Sequence, residues 1–408
     1  MPTRARNSSL ASLAEKPNSP FTPGEPVPVE LFVGRQAQIE EVFRYARQAC
    51  SGRVESVFLC AERGMGKSSL AQFLRELCSK ELNMLGIHVF LGGVTVLDEL
   101  VRRVFDQLLK HSCTQSWFSK LQALFGGFIR QVGLFNISVT FAPPDDKLQQ
   151  LVRSFPDALA EVVKKLEEDK SGLLIILDDL NGLADQPEFA NWYKSVVDYV
   201  ATHPIRLPLL MVLCGLPERR DSLSRLQPSL MRIFCVAEIE RLTDEEVSDF
   251  FSKAFQSVGL KVAADAMKLM VTYSSGLPVL MQEIGDATYW ANKDNVIDKR
   301  DGVEGISAAA RNVGQKYLDP RVYRAMRSQR YRGILDKLVD TPRETFHRNA
   351  VEQRLSEEEK RVFHNFLRKM RDLGVIEPDS ERGRGAYRFV NRIYPLYMYL
   401  HKAVPRNR

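Results

Sequence analysis

No apolar run in this 408-residue sequence approaches the length that crosses a membrane, and the N-terminus lacks the apolar core of a secretory signal. The six cysteines form no Cys-x-x-Cys pair and no cluster with histidine, which disfavours a zinc site. Scattered cysteines within apolar patterns are typical of buried free thiols in a reducing compartment. We therefore predict a cytoplasmic protein that does not enter a membrane.

A relative shortage of acidic residues is confined to the end of the chain. Residues 321–408 hold 21 Lys and Arg against 11 Asp and Glu, whereas the preceding 320 residues hold 36 against 40. A basic excess concentrated in one part of a chain indicates a polyanionic partner for that part. The alternative is a surface whose charges serve only solubility.

The most specific motif is a short segment with two glycines, Ala61–Ser69. It follows an apolar run, Val54–Cys60, and precedes an amphipathic run, Leu70–Leu77, an order that predicts strand, loop and helix. In such a loop consecutive backbone N–H groups surround an anion, and the helix N-terminus adds partial positive charge. Gly64 and Gly66 supply the positive φ angles. An incidental strand-to-helix turn is the alternative, and the context favours phosphate binding.

The side chains of this segment, the phosphate loop, suit a nucleoside triphosphate. Lys67 would reach the β- and γ-phosphates, and the Ser68 hydroxyl would bind Mg²⁺. Ala61 stands where glycine is commonest and departs from the usual pattern. The loop residues predicted to bind the nucleotide are Arg63, Gly64, Met65, Gly66, Lys67, Ser68 and Ser69.

A second signal is the apolar run Gly172–Leu177, which is followed by Asp178 and Asp179. Such runs predict buried parallel strands, and the C-terminal ends of these strands border the crevice where α/β sheets bind ligands. We predict that Asp178 holds Mg²⁺ and that Asp179 orients and polarises the attacking water. The alternative is a strand that ends in an ordinary turn, where Asp is common.

Alternating strand and helix patterns over residues 29–240 predict an α/β core with a parallel sheet, interrupted by an aromatic insertion at about 111–142. The insertion either contacts a partner or packs on the core. Residues 1–28 are rich in Pro, Ser, Asn and Gly, which predicts a flexible tail. Its end, Pro20–Gly24, either continues the tail or is ordered against the next domain. Residues 241–315 predict a helical lid and linker helix. Residues 316–408 predict three helices and a two-stranded ribbon, the arrangement of a winged-helix domain.

Together these features resemble the AAA+ and STAND-type ATPases, and within them the origin-initiator-like and archaeal ATPase branch. The resemblance rests on Phe32-Val33-Gly34-Arg35, the phosphate loop, the strand ending in two acids, the lid sequence Gly276-Leu277-Pro278 and the winged helix. It implies a parallel-sheet P-loop AAA+ core with a helical lid, ATP and Mg²⁺ as cofactors, and assembly into a homo-oligomer. It spans roughly residues 20–400, and only the two nucleotide motifs are specific.

The resemblance also implies roles for residues outside the two motifs. The residues implied to line the adenine pocket are Val33, Gly34 and Arg35, although a plain loop into a helix explains them equally. Pro278 of the lid would pack near the base. Arg232 would act as an arginine finger toward a neighbouring subunit, with Arg225 as the alternative. The ordinary role of either arginine is a surface ion pair.

Two positions depart from the family pattern. Cys214 aligns with a sensor position that is usually a small polar residue, and a thiol is a poor hydrogen-bonding group. Asp179 stands where most active relatives carry Glu. Because Asp is one methylene shorter, the attacking water would be less well placed, and small misplacements are costly in rate. We therefore predict slow hydrolysis, which suits a switch rather than a motor.

The predicted winged helix carries basic residues where such domains usually meet DNA, since their third helix enters the major groove and the wing contacts phosphate. The residues predicted to bind DNA are Lys360, Arg361, Arg368, Lys369, Arg382 and Arg384. They would contact phosphates, which position a protein without reading base sequence. The alternative is a docking or dimerisation module whose arginines are solvated.

We therefore predict an ATP-binding, slowly hydrolysing AAA+ switch that acts as an oligomer and associates with double-stranded DNA through the winged helix. The alternative is a STAND-type regulatory NTPase that controls a protein effector, in a defence or transposition system, without binding DNA directly. A third hypothesis is a nucleotide-binding scaffold that does not hydrolyse. The sequence lacks the Asn-Lys-x-Asp run of guanine-specific proteins, which disfavours a GTPase.

Overall fold

The computed structural model describes residues 16–111, 115–132, 138–166, 169–324 and 328–403. The chain divides into two compact units. The α/β unit comprises Pro28–Glu240. The helical unit is formed by the chain that precedes and follows it, so its described residues are 16–27 and 241–403.

A five-stranded parallel sheet lies at the centre of the α/β unit. The strands of this unit are β1 Val54–Cys60, β2 Leu85–Phe90, β3 Ile129–Val132, β4 Ser138–Phe141, β5 Leu173–Asp178, β6 Leu209–Gly215 and β7 Phe234–Glu238. The order in the main sheet is β2-β5-β6-β1-β7. β5 and β6 are buried at every position, as expected for apolar strands covered on both faces. The predicted parallel α/β core is confirmed.

Helices connect these strands and cover the sheet. They are α1 Gln36–Cys50, α2 Lys67–Leu82, α3 Leu97–Lys110, α4 Gln115–Phe125, α5 Asp145–Arg153, α6 Phe155–Leu166, α7 Pro187–Thr202 and α8 Pro217–Leu226. Because the five strands of the sheet run in the same direction, the loops after β1, β2, β5 and β6 meet at one edge of the sheet. That edge positions the candidate site.

The aromatic insertion contains α4 and an antiparallel hairpin of β3 and β4. Phe141, the last residue of β4, is fully buried, and its ring centroid lies 5.3 Å from that of Phe105 and 5.8 Å from that of Phe125. The Phe141 backbone N–H donates to Asp106 Oδ1 over 3.1 Å. These aromatic residues therefore pack on the core of the α/β unit.

The helical unit begins its second stretch at Arg241. Its helices are α9 Asp244–Ser257, α10 Ala264–Ser274, α11 Pro278–Ala291, α12 Lys299–Val313, a π-helical segment Gly314–Tyr323, α13 Gln329–Leu338, α14 Arg348–Glu352, α15 Glu357–Asp372 and α16 Ile393–Ala403. Its strands are β8 Lys261–Val262, β9 Val296–Ile297, β10 Thr345–His347, β11 Ile376–Pro378 and β12 Ala386–Phe389. Among the described residues of both units, no helix is long and apolar enough to cross a membrane.

The described end of the N-terminal segment packs on the helical unit, which agrees with the ordered alternative for Pro20–Gly24. Phe21 is 3% exposed, and its ring centroid lies 5.8 Å from that of Phe250 and 5.0 Å from that of Phe255. A Cβ at Gly285 would come within 2.2 Å of the Phe21 ring, so α11 has a small residue where the ring is seated. One buried aromatic residue gives no periodic signal in a Pro- and Ser-rich segment. Residues 1–15 lie outside the described residues.

The C-terminal part of the helical unit combines α13, α14 and α15 with an antiparallel sheet of order β10-β12-β11. The sheet has a third strand beyond the predicted two-stranded ribbon, because Thr345–His347 form β10 and the helix α14 begins only at Arg348. Phe346 stacks on Tyr387 of β12 with ring centroids 5.7 Å apart. Cross-strand aromatic packing of this kind favours the strand over the helix.

Candidate nucleotide site

The phosphate loop joins β1 to α2 at the C-terminal edge of the sheet. Gly64 and Gly66 have φ angles of 80° and 85°, which residues with a side chain rarely adopt. α2 begins at Lys67, and no side chain caps this end of the helix. The N–H groups of its first turn have no partner within the helix, so they are donors available to an anion.

The Lys67 side chain folds back over the phosphate loop. Its Nζ donates to the carbonyl oxygens of Ala61 and Glu62 over 2.5 and 2.9 Å. Burial lowers the pKa of Lys67, while the negative charge of Asp178 acts in the opposite direction. The ammonium group is therefore held at the loop and near the end of β5.

Asp178 ends β5 as a carboxylate that is only 3% exposed. It accepts a hydrogen bond from the Ser68 hydroxyl, so the two predicted Mg²⁺ ligands are in direct contact. Its Oδ2 also lies 3.0 Å from His88 Nε2. Burial alone would raise the pKa of Asp178, but the hydrogen bonds from His88 and Ser68 outweigh burial and hold that pKa below its ordinary value.

His88 belongs to no sequence motif and is a site residue that was not predicted. It lies within β2, is 6% exposed, and stacks on Phe90 with ring centroids 4.3 Å apart. A lone histidine in an apolar strand is ordinarily a core residue, and the carboxylate partner is 90 residues away in the chain. The pairing of β2 with β5 aligns Phe90 with Asp178, and His88 lies two residues before Phe90 on the same face of β2. His88 could therefore be recognised as a neighbour of Asp178 only once the strand order is known.

The donor set suits a triphosphate with Mg²⁺. Mg²⁺ is ordinarily held by one or two carboxylates together with substrate phosphates and water. Ser68 and Asp178 supply a hydroxyl and a carboxylate in contact, and the two glycines of the loop leave its backbone open to an anion. In the described part of the chain no three or more His, Cys, Asp and Glu residues form a group suited to a metal ion.

Asp179 follows β5 at the same edge and is exposed. Its φ angle is 62°, in the left-handed region, and the Asn181 side-chain amide donates to its Oδ1. A Cβ at Gly92 would lie 3.2 Å from Asp179 Oδ2, so the loop after β2 borders this carboxylate. The role of Asp179 in orienting water stays a prediction.

Cys214 of β6 is paired with Asp178 in the sheet and is fully buried. Burial, together with the Asp178 charge, raises the pKa of Cys214 well above its ordinary value. The thiol therefore stays protonated at neutral pH. The predicted sensor position thus carries a neutral, buried and weakly polar group.

The predicted adenine-pocket residues directly precede α1. Gly34 and Arg35 have φ angles of 70° and 64°, and Val33 and Arg35 are both buried. The Arg35 guanidinium donates to Met65 O over 3.2 Å and to Glu240 O. Arg35 therefore braces the phosphate loop against the end of the α/β unit, and its contact with adenine stays a prediction.

The remaining predicted site residues lie farther along the chain. Arg232 ends a 3₁₀ helix before β7 and is exposed, and none of the described residues forms an ion pair with it. Arg225 donates to Ser222 Oγ over 3.1 Å. Pro278 is the first residue of α11 in the helical unit. The finger and lid roles of these residues stay predictions.

The predicted DNA-binding helix, α15, buries one face and exposes the other. Arg361, His364, Arg368 and Arg371 are exposed, and their spacing places them along one side of the helix. Within the described ranges none of these four side chains forms an ion pair. The result is a basic stripe whose charges face solvent.

Three of the other four predicted DNA-binding residues contact neighbouring side chains. Lys360 and Arg382 each form an ion pair with an acid three residues earlier, with N–O distances of 2.7 and 3.6 Å. Lys369 Nζ lies 5.9 Å from the centroid of the Tyr331 ring. Arg384 is exposed in the turn between β11 and β12. Their contact with DNA stays a prediction.

Residues 31–193 match the family described as AAA ATPase domain. This segment contains both nucleotide motifs, the phosphate loop and Asp178. No curated protein matches the chain.

The fold is similar to those of solved ATPase structures. The Walker-type ATPase PABY2304 of Pyrococcus abyssi is 14% identical with a TM-score of 0.56, and the match covers 90% of this chain and 96% of that one. The ORC2 protein of Aeropyrum pernix is 14% identical with a TM-score of 0.56, over 95% of this chain and 98% of that one. At this identity the likeness establishes the fold alone. The family match and the fold together support an AAA+ P-loop ATPase.

Proposed function

We propose that this protein is an ATP-binding AAA+ switch that hydrolyses ATP slowly, acts as an oligomer and associates with double-stranded DNA. The observation that carries the proposal is the convergence of Lys67, Ser68 and Asp178 at a loop with two positive-φ glycines. The match of residues 31–193 to the AAA ATPase domain supports it. The A. pernix ORC2 structure, similar in fold, is of complexes with ADPNP and ADP.

Different groups of the chain would bind different parts of the triphosphate. The N–H groups of the phosphate loop and of the first turn of α2 would donate to phosphate oxygens. Lys67 Nζ would exchange the carbonyl oxygens of Ala61 and Glu62 for phosphate oxygens, which gives stronger, charge-assisted bonds. Ser68 and Asp178 would hold Mg²⁺, which when bound neutralises charge on the β- and γ-phosphates. Arg35 keeps the loop in place through Met65 O.

Slow hydrolysis follows from Asp179. Its carboxylate is one methylene shorter than that of Glu, and one of its oxygens already accepts from Asn181. The carboxylate therefore shares its accepting capacity with Asn181 and would orient a water from a shorter reach. Arg232, without a described ion pair, would complete the site of a neighbouring subunit, which makes turnover depend on oligomer formation.

Association with DNA rests on the C-terminal part of the helical unit. The order α13, β10, α14, α15, β11, β12 supports a winged helix in which α15 would be the third helix. Arg361, Arg368 and Arg371 on its exposed side would contact backbone phosphates. The concentration of basic residues after residue 320 supports a polyanionic partner.

The test is to measure particle size and ATP turnover together, with and without a short DNA duplex. We expect slow turnover, larger particles with ATP, and duplex binding that weakens steeply as salt rises. Lys67→Ala is the control that removes nucleotide binding. A protein that binds ATP yet neither changes size nor retains duplex at low salt would refute the DNA-associated switch.

A second candidate function, control of a protein effector, is favoured by a cleft in the helical unit. The cleft has a volume of about 770 Å³ and opens beside β10, the edge strand of its sheet. Leu338, Phe346 and Val351 give it apolar walls, and Arg343 and Arg354 add positive charge. An apolar groove with cationic residues at a strand edge suits an extended acidic peptide.

Charge reversal separates the two candidates. A fluorescent peptide of alternating Glu and Leu residues serves as the probe of the cleft, and a labelled duplex serves as the probe of α15. If the cleft takes acidic peptides, Arg343→Glu abolishes peptide binding and leaves duplex binding intact. Peptide binding that survives Arg343→Glu would remove the cleft as support for an effector.

A further inference from the structure

We propose that His88 positions the Asp178 carboxylate for Mg²⁺, so that the magnesium-dependent part of nucleotide affinity relies on a histidine of β2. This inference rests on the ATP binding proposed above. Its basis is the 3.0 Å contact between His88 Nε2 and Asp178 Oδ2, which joins two side chains that are both almost fully buried.

The direction of this hydrogen bond follows from the chemistry of the carboxylate. A carboxylate that holds Mg²⁺ is ionised, and an ionised carboxylate can only accept a hydrogen bond. The proton in the contact therefore belongs to His88 Nε2. With Oδ2 engaged by an N–H donor on a rigid strand, the orientation of the carboxylate plane is constrained.

His88 is itself held rigidly, as a positioning residue must be. Its ring stacks on Phe90 with centroids 4.3 Å apart and an interplanar angle of 16°. It belongs to a strand that pairs along its whole length with β5, the strand that ends in Asp178. Donor and acceptor thus lie on adjacent strands of one sheet, where neither backbone can move without disturbing the ladder.

Hydrogen bonds to metal-binding carboxylates orient them, and their loss typically costs about 10–100-fold in metal affinity. A histidine that merely fills the core predicts something different. Its removal would weaken the fold, and nucleotide affinity would fall by the same factor with and without Mg²⁺. The ratio of the nucleotide affinity in Mg²⁺ to that in EDTA therefore distinguishes a positioning role from a structural role.

The experiment uses the full chain and a fluorescent ADP analogue, titrated in Mg²⁺ and in EDTA. His88→Phe removes the donor and keeps a flat ring that can stack on Phe90. His88→Gln keeps a side-chain N–H donor of similar reach. We expect His88→Phe to lose about tenfold of the enhancement by Mg²⁺, with the affinity in EDTA unchanged, and His88→Gln to regain most of that enhancement.

Two results would overturn the inference. One is His88→Phe with the full enhancement by Mg²⁺. The other is an equal loss of affinity in both buffers, which identifies a structural role. Thermal unfolding of each variant in EDTA reports on the fold, and His88→Leu provides the same comparison if His88→Phe does not fold. Failure of the proposed ATP binding looks different, because the wild-type protein would then bind the analogue in neither buffer.

Discussion

The phosphate loop region and the exposed side of α15 both present groups that suit phosphate, but the protein holds them in opposite ways. Around the loop, Arg35, His88 and Asp178 are buried, and each is hydrogen-bonded. On α15, Arg361 and Arg368 face solvent, and no described residue forms an ion pair with them. The first region is organised in advance for one ligand geometry, whereas the second can follow any phosphate backbone. A single substitution should therefore greatly reduce ligand binding at the phosphate loop, but only weaken binding along α15.

The largest effect is expected on stability, from removal of the buried, uncharged side chain of Phe21. Phe21→Ala removes a ring that packs on Phe250 and Phe255, and it should lower the free energy of unfolding of the helical unit by about 3–5 kcal/mol. Denaturant unfolding monitored by circular dichroism measures it. Tyr399→Ala, at an exposed aromatic residue of the same unit, is the control and should change the stability little. Equal stability of the two variants would mean that the N-terminal segment is not anchored by Phe21.

Within the preorganised region, Lys67→Ala should lower ATP affinity at least about 100-fold, because it leaves phosphate charge without its buried partner. Equilibrium binding of a fluorescent ATP analogue measures the change. Lys80→Ala is the matched control, since Lys80 lies exposed in the last turn of the same helix. A Lys67→Ala protein that binds as tightly as Lys80→Ala would refute the predicted role of the loop.

On the exposed region, Arg361→Ala combined with Arg368→Ala should weaken binding to all duplex sequences by a similar factor. The slope of the logarithm of affinity against the logarithm of salt should become shallower by about 2, one unit for each phosphate contact. Fluorescence anisotropy at several salt concentrations measures it. Arg343→Ala, in the cleft beside β10, is the control. An unchanged slope in the double variant would exclude α15 from the DNA interface.

The smallest effect is expected on ATP turnover, from substitution of Asp179, which lies at the C-terminal edge of the sheet but is exposed. Asp179→Glu lengthens the side chain and should raise ATP turnover by about tenfold at most. The gain is limited because residue 179 has a φ angle of 62°, which Glu tolerates less readily than Asp. Asp179→Asn keeps the shape, removes the charge and should lower turnover. A fast wild-type enzyme that Asp179→Glu leaves unchanged would contradict the prediction of slow hydrolysis.

Local sequence patterns predicted much of the candidate nucleotide site at the C-terminal edge of the sheet. The strand, loop and helix around Lys67 and the apolar strand before Asp178 depend on neighbouring residues, so they can be predicted from short windows. His88 could not be found in this way, because its meaning depends on a strand pairing across 90 residues. The partners of Phe21 could not be predicted for a similar reason, since they belong to α9, more than 200 residues away. The strand Thr345–His347 could not be predicted from a short window either, because it pairs with β12, about 40 residues farther along the chain.

Titration calorimetry of the wild-type protein with ATP tests the central claim most directly, namely that Lys67, Ser68 and Asp178 form one triphosphate site. In Mg²⁺ we expect saturable binding at a single site per chain, with weaker binding when EDTA replaces the metal. Absence of saturable heat under both conditions would contradict the existence of the site.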